Sequence, residues 1–379
     1  MHGARLRKGL KCKQFYVVIS TFVVLSLLHI QYETTKLPQK PWSNSDSFRG
    51  RIERVLGLRS VNKSKNPRDW NGRGVKKYSL TLPLIDIIMV NDEMEMLEYR
   101  LNLHHSIVTK FVIVESNLTF KGLPKPSHVK SLISTGRLEQ FNIEVLQVPF
   151  TQSERVSNDT WVRQTATRRF IGYWISQHYP NATVALSDVD ELFDTYALQK
   201  ALKNPALSKL PCFLLPMRFL YYGEACPMSE SRWNLAPIFN TGSTWFREIV
   251  LRGESLRLHT TENPFFSATC PILNLTMPLL GWHMSYAMGT EQIINKIQSF
   301  SANESFIYEL INAHNVSKLI EERIQHCGDL FGREGYSKIS CLQISTKVFD
   351  FKAPSLAGLP RHPLAPRMSI WDKCRQRNK

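Results

Sequence analysis

Two aspartates separated by one residue, Asp188 and Asp190, are the side chains of this chain best suited by type and spacing to do chemistry. They follow a short apolar segment, residues 183–186, whose composition favours a buried strand. Side chains two residues apart on a strand share a face, so we expect both carboxylates to point the same way. Open α/β sheets bind ligands at the carboxyl ends of their strands. Carboxylates placed there can hold a divalent cation together with substrate phosphates, although a solvated acidic turn is the alternative.

Strands that alternate with helices are predicted around this pair. Strands are predicted at residues 84–90, 111–115, 143–148 and 183–188. Helices are predicted at residues 161–178, 290–300 and 316–324. Asn91 and Asp92 are predicted to cap a further helix, with Glu95 completing a capping box. The alternation predicts an α/β fold with one sheet flanked by helices around a single core.

The first thirty residues have the composition of a membrane anchor. Residues 14–30 are uncharged and mostly apolar, and residues 1–13 carry five basic side chains. A helix of that length spans roughly 25 Å, which is short but sufficient for a bilayer. The basic flank predicts a cytoplasmic N-terminus. We therefore predict a cytoplasmic tail (1–13) and a transmembrane signal-anchor (14–30) rather than a cleaved signal peptide, because no small-residue cleavage site follows.

The remaining chain is predicted to be lumenal. Residues 31–80 have the polar, Pro-containing composition of a stem, residues 81–350 form the predicted catalytic domain, and residues 351–379 form a basic, Pro-containing tail. Six cysteines beyond the anchor indicate a compartment that permits disulfides: Cys212, Cys226, Cys270, Cys327, Cys341 and Cys374. Asn-x-Ser/Thr glycosylation acceptors, such as Asn117 and Asn181, agree with this compartment.

The positive charge of the chain is confined to its ends. The formal net charge is +16, but residues 81–350 hold 24 Lys and Arg against 27 Asp and Glu. A near-neutral central segment carries no basic footprint for nucleic acid, so nucleic-acid binding is excluded as the basis of function.

Six sequence blocks resemble glycosyltransferase family 17. They are Asn91-Asp-Glu93, Glu115-Ser-Asn-Leu-Thr-Phe120, Gly122-Leu-Pro-Lys-Pro126, Ser187-Asp-Val-Asp-Glu191, Gly281-Trp-His283 with Ser285, and Cys327-Gly-Asp-Leu-Phe331. The blocks occur in the order of the family and cover roughly residues 82–335. The resemblance implies a GT-A-like mixed sheet in a type II Golgi membrane protein. It also implies inverting transfer of N-acetylglucosamine from UDP-N-acetylglucosamine, in β-1,4 linkage, to the core β-mannose of an N-glycan or glycoprotein acceptor.

The chemistry of these residue types and the resemblance together suggest roles for individual residues. Asp190 is the predicted direct ligand of Mn²⁺ or Mg²⁺, and Asp188 would hold the water of the metal or the ribose hydroxyls. His283 could be a further metal ligand or a structural histidine. Arg163 and Arg168, which match a Trp-x-Arg pattern beginning at Trp161, could bind the diphosphate or support the sheet. Trp282 could stack on a sugar or pack in the core.

The general base that inverting transfer requires is not identified by the sequence. Asp329, Glu191 and Glu115 are the candidate acids within the matched blocks. Each could instead be a capping or surface carboxylate.

Three alternatives to the predicted activity stay open. A phosphatase that forms an aspartyl-phosphate also uses Asp-x-Asp, but Glu191 stands where such enzymes usually have glycine. A family-17-like transferase could use another donor or acceptor. A catalytically silent Golgi glycan-binding protein could also keep the fold.

Overall fold

The computed structural model describes residues 82–223, 226–251, 256, 270, 280–302, 304–333 and 360–365. The predicted cytoplasmic tail, anchor and stem (1–80) and most of the predicted C-terminal tail lie outside these residues. Within the described ranges, no helix combines the length and the apolar character needed to cross a membrane.

One mixed sheet is the centre of the described structure. Its strands are β1 (Leu84–Met89), β2 (Lys110–Glu115), β3 (Ile143–Gln147), β4 (Thr183–Asp188), β5 (Glu191–Phe193), β6 (Cys212–Tyr221), β7 (Pro227–Asn240) and β8 (Gly281–Ser285). They pair in the order β3-β2-β1-β4-β7-β6-β8-β5. The first four strands in that order are parallel, and β7 lies antiparallel to both β4 and β6. β8 is parallel to β6 and antiparallel to β5.

Helices flank this sheet. They are α1 (Met94–His104), α2 (His128–Ser134), α3 (Gln152–Val156), α4 (Thr160–His178), α5 (Thr195–Leu202), α6 (Thr244–Leu251), α7 (Thr290–Ser299), α8 (Ser305–Ile311) and α9 (Val316–Gln325). The predicted mixed α/β sheet flanked by helices is confirmed.

Two hydrophobic clusters stabilise the described residues. The first packs one face of the parallel strands against α4 and α6; Ile87 and Val184 on the sheet and Ile171 on α4 belong to it. The second contains Phe219 and Tyr221 of β6 together with residues of α7, α8 and α9, including Ile293. β6 contributes residues to both clusters, so this strand contacts helices of the first cluster and helices of the second.

The start of α1 differs from the prediction. The helix begins at Met94. The side chain of Glu93, the N-cap residue that precedes it, forms no hydrogen bond that caps the helix. The Glu93 carboxylate instead accepts hydrogen bonds from the backbone N–H groups of Asn91 (3.0 Å) and Asp92 (3.3 Å). The predicted capping box of Asp92 and Glu95 is therefore wrong. Glu93, not Asp92, is the N-cap residue, and its carboxylate accepts the backbone N–H of Asp92.

A buried ionic network joins α1 to the turn after β4. Arg100 and Asp86 are fully buried, and their closest contact, between Nη2 and Oδ1, is 2.6 Å. The Arg100 Nη1 group also donates to the backbone carbonyls of Asp188 (2.7 Å) and Glu191 (3.0 Å). Arg100 therefore fixes the backbone of the segment that carries the aspartate pair.

His104 completes this network as a neutral imidazole. Its Nε2 accepts from the backbone N–H of Phe193 (3.2 Å), so Nδ1 carries the hydrogen that faces Asp86 (3.1 Å). Burial lowers the pKa of His104 to about 4, against the opposing effect of Asp86. In the folded protein His104 therefore stays neutral at pH values where a solvent-exposed histidine is protonated.

We expect His104 to make stability fall with falling pH. Because its pKa is lower in the folded state than its ordinary value of 6.5, the unfolded chain binds the extra proton between these values, and stability is lost as the pH falls through 6.5 towards 4. The contribution is about 2 kcal/mol between pH 7 and pH 5. Urea unfolding of the wild type and of His104→Gln at these two pH values measures it. Equal pH dependence in both proteins would contradict it.

Two disulfides connect distant parts of the described chain. Cys212 on β6 pairs with Cys270, and Cys226, before β7, pairs with Cys327, just beyond α9. Cys341 and Cys374 lie outside the described residues. The second disulfide closes 101 residues of sequence and ties the end of the β6–β7 hairpin to the segment that precedes Asp329.

Candidate active site

A cavity of about 760 Å³ opens at the carboxyl edge of the parallel strands. The segments that follow β1, β2 and β4 line it together with residues of α4, α7 and α8. β1 and β4 end at the same level, since Met89 pairs with Asp188. The cavity therefore lies where open α/β sheets bind ligands.

Asp188 and Asp190 both line this cavity but differ in environment. The Asp188 side chain is 39% exposed, and its carboxylate is 3.4 Å from the buried guanidinium of Arg168 on α4. Asp190 is buried beyond the end of β4, in a turn whose backbone carbonyl accepts from Met284 on β8 (2.8 Å). Arg168 is thus placed beside the aspartate pair.

The carboxylate of Asp190 contacts two basic side chains. Lys296 Nζ lies 2.7 Å from its Oδ2, and His283 Nε2 lies 3.6 Å from its Oδ1. Burial alone would raise the pKa of Asp190, but the charges of Lys296 and His283 hold it below its usual range. Asp190 is therefore ionised at neutral pH.

His283 reaches the cavity because β8 alternates its faces. His283 and Ser285 line the cavity, with 3.1 Å between the imidazole Nε2 and the Ser285 hydroxyl. Trp282 points to the other face and is buried outside the lining. Gly281 precedes them where the strands approach closely: a Cβ there would lie 2.2 Å from the carbonyl oxygen of Leu192. Only glycine permits this pairing of β8 with β5.

Arg163 lies outside the cavity lining, although it shares α4 with Arg168. Its guanidinium donates to the backbone carbonyls of Phe120 (2.6 Å), Glu154 (2.8 Å) and Ser157 (2.9 Å). Gly122 passes over this guanidinium with a φ of +88°, and a Cβ there would lie 3.2 Å from Arg163 Cζ. Arg163 therefore holds together the loops that border the site.

The three candidate acids occupy different environments. Glu115 lines the cavity, and its carboxylate accepts from the Ser127 hydroxyl (2.5 Å) and the backbone N–H of His128 (2.8 Å) at the start of α2. Glu191 lies outside the lining and accepts from the backbone N–H of Asp188 (2.9 Å).

Asp329 also lies outside the cavity lining. Its two carboxylate oxygens bind the guanidinium of Arg333, at 2.7 Å and 3.1 Å. Arg333 itself lines the cavity and donates to the Tyr221 hydroxyl (2.9 Å). Asp329 therefore positions a cavity residue.

Several cavity residues were not predicted from the sequence. Lys296 and Glu93 meet in the cavity, with 3.0 Å between their charged groups. Glu304 adds another carboxylate before α8. No spacing signal links Lys296 to Asp190, which lies 106 residues earlier. Glu93 belongs to one of the six sequence blocks and could have been singled out from it.

The residues present fit a divalent cation held jointly with a substrate. In the part of the chain that the structure describes, no three His, Cys, Asp or Glu side chains are grouped as a metal site. Asp190 and His283 nevertheless supply a carboxylate oxygen and an imidazole nitrogen 3.6 Å apart. A cation that binds phosphates needs no more than one or two protein carboxylates.

The charge of the cavity also favours an added cation. Among the described residues, five carboxylates and four cationic side chains line it: Glu93, Glu115, Asp188, Asp190 and Glu304, and Lys125, Arg168, Lys296 and Arg333. The formal charge of these side chains is thus slightly negative before any phosphate enters. A diphosphate would add further negative charge, which a divalent ion offsets.

An acidic pair in a cavity beyond the strand ends of a mixed α/β sheet is an arrangement suited to a phosphate-bearing ligand. The model of glycosyltransferase family 17 matches residues 10–243, more than half of the chain, and the chain belongs to this family. The matched segment contains Asp188 and Asp190 but ends before His283, Lys296 and Asp329. Membership in the family supports a role in glycosyl transfer.

Other comparisons give weaker similarities. No curated protein matches the chain. A 4-diphosphocytidyl-2C-methyl-D-erythritol synthase structure has 14% identity and a TM-score of 0.29, covering 50% of this chain and 97% of its own. S. aureus TarS 1–349 has 11% identity and a TM-score of 0.30, covering 61% and 69%. The inositol-1-phosphate CTP transferase from T. maritima has 12% identity and a TM-score of 0.25, covering 55% and 87%.

Proposed function

We propose that this protein transfers N-acetylglucosamine from UDP-N-acetylglucosamine in β-1,4 linkage to the core β-mannose of N-glycans. The observation that carries the proposal is the placement of Asp188 and Asp190 in a cavity at the strand ends, beside Arg168, Lys296 and His283. Such a site combines groups that hold a cation with groups that attract phosphate. We further propose that the protein is a single-pass type II Golgi membrane protein with a GT-A-like lumenal domain.

The reaction is proposed as a single displacement with inversion. An acceptor hydroxyl oxygen forms a bond to the anomeric carbon while the bond from that carbon to the β-phosphate oxygen breaks. The nucleoside diphosphate leaves with the bonding electrons, and the hydroxyl proton passes to a carboxylate. Among Asp329, Glu191 and Glu115, the position of Glu115 in the lining favours it as this base. Glu304 is a further carboxylate in the same cavity.

Asp190 and His283 are the residues that would hold Mn²⁺ or Mg²⁺. The bound ion would act as a Lewis acid on the leaving diphosphate. Asp188 and Arg168 lie beside this position and would orient the ribose or the phosphates. Each group is held by a buried element, α4, β8 or the turn after β4, so that little reorganisation is needed on binding.

We propose that the acceptor sugar binds in the same cavity as the donor. Aromatic side chains line it: Phe120, Trp161, Phe219, Tyr221, Tyr286, Phe300, Phe306 and Phe331. Binding sites for small ligands commonly combine such apolar walls with a few polar groups. Arg333 and the Tyr221 hydroxyl are polar groups on this wall.

Transfer by residues 80–379 should depend on a divalent cation. We expect excess chelator to abolish product formation and Mn²⁺ to restore it, because the slightly negative cavity must accept a diphosphate. Mass spectrometry of N-glycan products, with a panel of nucleotide sugars, measures both the activity and the donor. Full turnover in excess chelator would rule out the metal role, and product from a different donor would replace the proposed one. Absence of turnover with every donor would leave a glycan-binding role.

A further inference from the structure

Lys296 places a cationic side chain in the same cavity that is proposed to hold a divalent cation. It lies on α7, with Ile293 and Ile297 of the same helix buried in the second hydrophobic cluster. Its side chain is 18% exposed and its ammonium lies between Asp190 (2.7 Å) and Glu93 (3.0 Å). The packing of α7 therefore places a positive charge between Asp190 and Glu93, two carboxylates that lie more than a hundred residues earlier in the sequence.

The ammonium group of Lys296 is not fully used by these partners. It has three hydrogen-bond donors, of which Asp190 and Glu93 engage two. The described residues provide no acceptor for the third, and Lys296 lines the cavity. The ring of Tyr286, with its centroid 5.8 Å from Nζ, lies on another side of the ammonium. One donor is thus available to a ligand.

A purely structural ion pair accounts poorly for this arrangement. Glu93 already accepts hydrogen bonds from two backbone N–H groups, so its carboxylate is stabilised without a lysine. Buried ion pairs add little stability over apolar residues, because both charges must lose water.

We propose that Lys296 binds the β-phosphate of the nucleoside diphosphate and stabilises its charge as it leaves. The inference rests on the proposed function, since it uses the same cavity and donor. Lys296, on α7, would contact the leaving group directly, whereas Asp190 and His283 would hold the divalent ion that supplies Lewis-acid chemistry there. Because Lys296 needs no metal to carry its charge, it contributes to nucleotide binding even in chelator.

The test compares the binding of UDP and UMP, by calorimetry, to the detergent-solubilised full-length protein in chelator. UMP lacks the β-phosphate and is the matched ligand. We expect Lys296→Met to weaken UDP binding about 10- to 100-fold, as for loss of a hydrogen bond between charged groups, with little change for UMP. Lys296→Arg should retain most of the preference for UDP. Lys318→Met, at an exposed lysine outside the cavity lining, is the control and should bind as the wild type does.

The outcomes separate this inference from the proposed donor. Equal weakening of UDP and UMP, or no weakening, would assign Lys296 a structural role and overturn the inference. A wild type that binds neither nucleotide, with or without Mn²⁺, would overturn the proposed donor and, with it, this inference. Thermal unfolding shows whether Lys296→Met is folded. If it is not, Lys296→Gln, which keeps donors for both carboxylates without the charge, is measured in its place against the same expectations.

Discussion

Asp190→Asn should reduce glycosyl transfer by about 100- to 1,000-fold, the usual effect of removing one group that stabilises charge in a transition state. The substitution keeps the size of the side chain but removes the charge that holds Lys296 and that would hold the cation with His283. We expect the variant to remain folded, since the Asp190 backbone carbonyl still accepts from Met284. Rates of product formation, with thermal unfolding of the same samples, measure both expectations.

Asp159→Asn is the matched control for this substitution. Asp159 caps α4 through the backbone N–H of Trp161 (2.9 Å), and asparagine is an equally good cap. We expect full activity and unchanged stability. If Asp190→Asn also kept most of its activity, the Asp190 carboxylate would neither bind the cation nor stabilise charge in the transition state.

Arg100→Leu should lower the free energy of unfolding by about 3–5 kcal/mol, because it leaves the buried carboxylate of Asp86 without its main partner. The substitution also removes the donors to the backbone carbonyls of Asp188 and Glu191. Any folded fraction should therefore bind Mn²⁺ and nucleotide less tightly. Urea unfolding and calorimetry measure the two effects.

An exposed ion pair provides the contrast. Arg137 and Glu98 also form a salt bridge, but the Arg137 side chain is 60% exposed. Arg137→Leu should change stability by no more than about 1 kcal/mol. Similar losses for the two arginines would show that the network around Asp86 is not what holds the turn.

Much of the sheet could be predicted because its strands are local apolar patterns. β1, β2 and β4 appear within one residue of the predicted bounds, and α4 begins one residue earlier than predicted. The order of the strands could not be predicted in this way. β8 lies between β6 and β5, a pairing that depends on the contact of Gly281 with Leu192. That contact joins residues far apart in sequence.

The site was predictable to the extent that its residues lie in short motifs. Asp188, Asp190 and His283 meet in the cavity as expected from their motifs, although their metal role stays a prediction. Lys296 could not be predicted, because α7 has the apolar spacing of any helix that packs on a core. The position of Glu93 was also missed, because the lysine that it pairs with comes from that distant helix.

The residues of the proposed site come from distant parts of the sequence, so they are not synthesised together. The acidic turn belongs to the strands that are synthesised first, whereas His283 and Lys296 are added about a hundred residues later, after β7 and α6. A ribosome-bound chain that ends near residue 243 thus carries Asp188 with Arg168, but Asp190 without His283 and Lys296. Truncations designed on the family-matched segment alone would omit half of the proposed donor site.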